Sequence, residues 1–160
     1  MRACGYRAAI IGIIGGCIAA HAHAGGSAIE LRARGFQVYA CEPGAGAFAW
    51  RLKGPDAVLT NDAGADMGRH FAGPSWQAKD GSTVVGEALV ASPSPAAGSI
   101  PWLILRAKSH SGDGVFASVA YIARLQTEGG SAPTAGCDKS HAGAEARAPY
   151  NAVYVLFAQP

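Results

Sequence analysis

Apolar and polar residues alternate with a period of two along much of the chain, the mark of strands with one face buried and the other wet. Ile29, Leu31 and Ala33 alternate with Glu30, Arg32 and Arg34. Phe36, Val38 and Ala40 alternate with Gln37, Tyr39 and Cys41, and Phe48, Trp50 and Leu52 with Ala49, Arg51 and Lys53. The pattern predicts a further long strand from Ser82 to Ala91. It follows a Lys79-Asp80-Gly81-Ser82 turn in which Asp-Gly supplies the positive φ angles of a tight hairpin, and that hairpin puts Trp76 on the partner strand.

The stretch Ser92-Pro93-Ser94-Pro95-Ala96-Ala97-Gly98 reads as a loop, because proline removes ladder donors and glycine relaxes the backbone. Trp102 to Leu105 is apolar on both faces, as a central strand covered from both sides is. Helix and strand compete over Val115 to Gln126, where Val115, Val119 and Ile122 also fit a helical stripe. The longer alternation of Val115, Ala117, Val119 and Tyr121, behind a Ser111-Gly112-Asp113-Gly114 turn, favours strand. A long loop is expected from Glu128 to Pro149, and Tyr150 to Phe157 closes the chain as a strand. Short strands with regular turn signals and no βαβ alternation predict an all-β fold, an antiparallel sandwich or barrel with long loops.

The first 24 residues stand apart from this pattern. Arg2 and Arg7 precede an apolar stretch from Ala8 to Ala20, and Ala22-His23-Ala24 supplies the small-x-small site of a secretory leader. A signal peptide over 1–24, cleaved to release one β domain over 25–160 into the periplasm or the exterior, is the expectation. Ile14-Gly15-Gly16-Cys17 also resembles a lipobox, which makes a lipid anchor at Cys17 the minor alternative. No stretch is long enough and apolar enough for a transmembrane helix of about 20 residues.

Removing the leader changes the charge. It takes two of the 13 basic residues and none of the 11 acidic ones, leaving eleven of each. A neutral chain without basic clusters gives no electrostatic reason to expect nucleic acid as a partner. Of four cysteines, Cys41 and Cys137 remain. In an oxidising compartment they are expected to pair, tying the late loop to the early strand and stabilising by roughly 4–5 kcal/mol in the chain-entropy picture.

The order of motifs also resembles a known family. Gly35-Phe36-Gln37-Val38-Tyr39-Ala40-Cys41, Gly54-Pro55-Asp56-Ala57-Val58-Leu59 after Trp50, and His70-Phe71-Ala72-Gly73-Pro74-Ser75-Trp76 are followed by Asp80-Gly81-Ser82-Thr83-Val84-Val85-Gly86 and Ile100-Pro101-Trp102-Leu103-Ile104-Leu105. Thr127-Glu128-Gly129-Gly130, Gly136-Cys137 and Pro149-Tyr150-Asn151-Ala152-Val153-Tyr154 complete a string similar to that of domain of unknown function 3455. The resemblance implies an exported protein with paired cysteines. It brings no activity, cofactor or catalytic residue.

Candidate chemistry is sparse, and no cofactor is implied. His70, His110 and His141 are too far apart in sequence for a local metal motif. Asp62, Asp66 and His70 recur every four residues, but glycines between them mark a loop in which the two aspartates cap turns and His70 bonds the backbone. His70, Trp76, Asp80 and Glu87 are the candidate ligand-binding residues, grouped about one pocket near the Gly73-Pro74 bend. Trp76 is expected at the surface, where its face could stack on a glycan or another small molecule. The alternative is a secreted hydrolase or metal-dependent enzyme in which His70, oriented by Asp80, acts as base or ligand. No Gly-x-Ser-x-Gly elbow occurs to support a serine nucleophile. A small binding or structural module is the preferred reading.

Overall fold

The computed structural model describes residues 27–159, so the expected leader and Cys17 lie outside the described residues. Eight antiparallel strands run in chain order and close into one barrel, which resolves the sandwich-or-barrel alternative. They are β1 (Ala28–Pro43), β2 (Phe48–Thr60), β3 (Asp66–Phe71), β4 (Ser75–Ala78), β5 (Thr83–Ser92), β6 (Trp102–Ser111), β7 (Val119–Gly129) and β8 (Glu145–Ala158). The first strand pairs with the last, from Ala28 opposite Phe157 to Ala40 opposite Glu145. Among the described residues no helix is long and apolar enough to cross a membrane.

Closure explains where the alternation points. An eight-stranded barrel has an interior just wide enough to be filled by side chains or to hold one small ligand. Leu31, Leu59, Trp76, Val84, Leu105, Phe116, Val119, Ile122, Tyr154 and Leu156 fill the end at which β1 begins. Phe116 plugs that end from the turn before β7, its N–H donating to the Ser82 hydroxyl at 3.1 Å.

The phase of several strands differs from expectation. Phe36, Val38 and Ala40 do not form an inward face; β1 is a single strand whose odd-numbered Leu31, Ala33, Gln37, Tyr39 and Cys41 point inward throughout. Phe36 is left outside, where the Arg147 guanidinium lies 4.7 Å from its ring centroid. β6 is covered on one face only, because a closed single sheet has nothing outside it: Leu105 is buried while Ile104 is exposed. β7 is a strand, but its irregular register after Val119 leaves Tyr121 exposed and buries Ile122. The late loop is shorter than expected, spanning 130–144, since β7 reaches Gly129 and β8 already begins at Glu145.

Cys41 and Cys137 are bonded. The loop they anchor is also held by backbone bonds from Cys41 N–H to the Ala144 carbonyl and from Gly143 N–H to the Cys41 carbonyl, both 2.9 Å. The Trp50 indole donates to the Ala135 carbonyl at 2.9 Å.

Candidate functional site

Strand length, not side-chain chemistry, creates the opening into the barrel. β3 and β4 have six and four residues, whereas their neighbours β2 and β5 have 13 and 10. β2 pairs with β3 only over Asp56–Thr60, and β4 with β5 only over Ser75–Gln77 and Thr83–Val85. Beyond the Ala72-Gly73-Pro74 turn the barrel wall therefore lacks two strands. Leu52 pairs with inward-facing Tyr39 and shares its face, yet it is 57 % exposed. Ala88, opposite the buried Leu105, is exposed for the same reason.

A cleft of about 490 Å³ opens through this gap, within the range of small-molecule sites. Leu52, Pro55, Ala88, Leu103 and Leu105 give it apolar sides, and Gln37, His70 and Arg124 contribute polar groups from three strands. Arg124 pairs with Tyr154 across β7 and β8, which places it on the inward face. Lys53, Glu87 and Lys108 complete its charged lining.

His70 is fixed from two sides. Its Nδ1–H donates to the Ser75 carbonyl at 2.8 Å, and its ring stacks on Trp76 with Tyr154 edge-on at 4.9 Å. Burial, with the backbone bond opposing it and the Arg124 charge assisting, lowers its pKa to about 3. The ring is neutral at physiological pH. Around it several buried polar atoms have no partner in hydrogen-bond geometry among the described residues: the Gln37 amide nitrogen, the Trp76 indole nitrogen and the Tyr150 and Tyr154 hydroxyls. Burial holds both phenols above their ordinary range. A partnerless buried polar group is uncommon and needs a physical account.

The four sequence candidates separate. His70 and Glu87 line the cleft. Trp76 does not present a face to solvent; it is 1 % exposed, wedged between His70 and Tyr154. Asp80 lies four residues beyond Trp76, in the turn past the far end of β4 from the Gly73-Pro74 bend. There it accepts from Ser82 N–H at 2.9 Å, the Ser82 hydroxyl at 2.6 Å and Val115 N–H at 2.8 Å. These bonds hold its carboxyl below the usual range, the Ser82 hydroxyl foremost. No hydrogen bond joins it to His70. Asp62 pairs with Arg32, and Asp66 accepts from Gly68 N–H while pairing with Lys79. Among the described residues no group of three or more His, Cys, Asp or Glu side chains is placed to hold a metal ion.

Gln37 and Arg124 were not among the candidates. Gln37 carried a usable signal: it is the one uncharged polar residue in an inward run of Leu31, Ala33, Tyr39 and Cys41, which stands out only once the phase of β1 is known.

Residues 22–158 match the family described as protein of unknown function (DUF3455). The chain belongs to this family. No curated protein and no solved structure matches it. In DUF3455 terms, the matched span takes in every strand of the barrel, the disulfide and the whole cleft.

Proposed function

We propose that this chain is a binding domain for a small amphipathic molecule with an anionic head, seated in the side cleft of the barrel. The observation that carries the reading is the missing stretch of wall, which leaves inward-facing Leu52 and Ala88 in solvent above the polar Gln37, His70 and Arg124. An apolar body covering those sides removes their surface from water, at about 25 cal/mol per Å².

Charge sets the sign of the head. Glu87 is neutralised by Arg106 at 2.7 Å and Lys53 pairs with Glu42 at 2.9 Å. Among the described residues Arg124 and Lys108 have no carboxylate within ion-pair distance, so the lining has a positive excess. Trp76 is the reporter, since its indole stacks on a residue of the cleft. Titration with decanoate is expected to change its fluorescence saturably, and with decane-1-ol less. No saturable change with either ligand, or equal response to both, counts against the reading.

The domain acts after export. The leader-like pattern over 1–24 supports this, as does the Cys41–Cys137 bond, a pairing that persists in oxidising compartments. Mass spectrometry of the N-terminus of the cell-produced protein tests it; an intact Met1 or an acylated Cys17 overturns soluble release.

A further inference from the structure

The three polar groups of the cleft differ in what they can bond. Because His70 Nδ1–H is engaged by the Ser75 carbonyl, the neutral ring carries its lone pair on Nε2, which is an acceptor. Arg124 directs Nε–H and one Nη2–H to the Pro101 carbonyl at 3.0 and 2.8 Å, leaving further N–H donors and its full charge. The Gln37 carboxamide, 2 % exposed and without a partner for its nitrogen, can offer either kind of group.

The occupant that matches both groups gives Arg124 an anionic acceptor and gives His70 a donor. A simple carboxylate satisfies the first and leaves a histidine acceptor unpaired. An alcohol or primary amide can satisfy the second and leaves the cation without a counter-charge. An ammonium donor is opposed by the positive excess that Arg124 and Lys108 give the lining. We infer that the cleft selects an apolar-bodied hydroxy acid, in which a hydroxyl beside the carboxylate donates to His70 Nε2 while the carboxylate meets Arg124. The inference rests on the binding reading above and narrows it to one ligand class.

Calorimetric titration of the oxidised protein with 2-hydroxydecanoate, 2-methoxydecanoate, decanoate and decane-1-ol tests it. The hydroxy acid is expected to bind about tenfold tighter than decanoate or the methoxy acid, the scale of one buried hydrogen bond. In Arg124→Met the advantage of all three acids over the alcohol is expected to vanish. Equal affinity for the three acids overturns the hydroxy-acid inference while the binding reading stands. Absence of binding by all four compounds removes both. An acid preference that survives in Arg124→Met overturns the placement of the carboxylate.

Discussion

His70 and Trp76 face one another across β3 and β4 in direct register, their ring centroids 4.3 Å apart and their planes 14° from parallel. The stack joins the packed half of the barrel to its open half: Trp76 belongs to the hydrophobic core and His70 to the cleft. A titratable ring is thus held where a charge is poorly solvated.

That placement makes stability depend on pH. The pKa of His70 is lowered from 6.5 to about 3, so between these values the unfolded chain binds a proton that the native chain refuses. Stability is then complete above about pH 6.5 and is lost as pH falls toward 3. At pH 4.5 the loss is roughly 2–3 kcal/mol. The depressed carboxyls of Asp56, Asp66, Asp80, Glu87 and Asp138 add losses of the same sign, but at lower pH. Urea unfolding at pH 7 and 4.5 checks this, with His70→Gln expected to flatten the difference; an equal difference in that variant refutes the assignment.

Gly86 lies on the same wall. A Cβ built on it meets Trp76 Cζ3 at 2.9 Å and Leu105 Cδ2 at 3.1 Å, and the Trp76 ring has no room to retreat between His70 and Tyr154. Alanine in a strand ordinarily gains roughly 0.5–1 kcal/mol over glycine in backbone entropy. Overpacking costs roughly 1–3 kcal/mol, so the crowding wins. Gly86→Ala is expected to lower the urea midpoint with the slope unchanged; a raised midpoint contradicts the packing described for Trp76.

These residues also mark what was legible in the sequence. Strand-period alternation revealed an all-β chain, the Asp80-Gly81 turn and the side of the fold on which Trp76 pairs, because these are set by neighbours along the chain. The inward phase of β1 runs against the apolar alternation at Phe36: Gln37 points inward at the cleft, and Arg147 from β8 covers Phe36 outside. The gap above the Gly73-Pro74 turn follows from the unequal lengths of β2, β3, β4 and β5, which no local pattern marks. Asp80 was grouped with His70 by closeness in sequence, yet a strand between two residues carries them apart.

The disulfide is a second lever on stability that leaves the barrel closed. β1 and β8 pair along thirteen positions without the help of Cys137, so the bridge constrains the 130–144 loop and the unfolded chain. Cys41→Ala with Cys137→Ala is expected to lose roughly 2–5 kcal/mol while keeping the far-ultraviolet circular dichroism of a sheet protein. Limited proteolysis should then cut within 130–144 first. Cleavage beginning within β1 or β8 contradicts this division of labour.

Asp80 and Ala88 distinguish a scaffold from a site. The Asp80 carboxylate ties the β4–β5 turn to the turn that carries Val115 and Phe116, at the packed end of the barrel. Asp80→Ala is expected to lower the melting temperature while decanoate binding measured below it stays within twofold of wild type. Ala88 is the reverse case: it lines the cleft, is exposed, and sits where β5 has lost the neighbour that β4 provides lower down. A phenylalanine there meets open space rather than core, so Ala88→Phe is expected to keep the melting temperature within about 2 °C, since surface changes are within about 0.5 kcal/mol. Its ring covers the space an apolar body needs between Leu52 and Leu105, and decanoate affinity should fall at least tenfold. Unchanged affinity in Ala88→Phe means the ligand does not enter through the gap between β2 and β5.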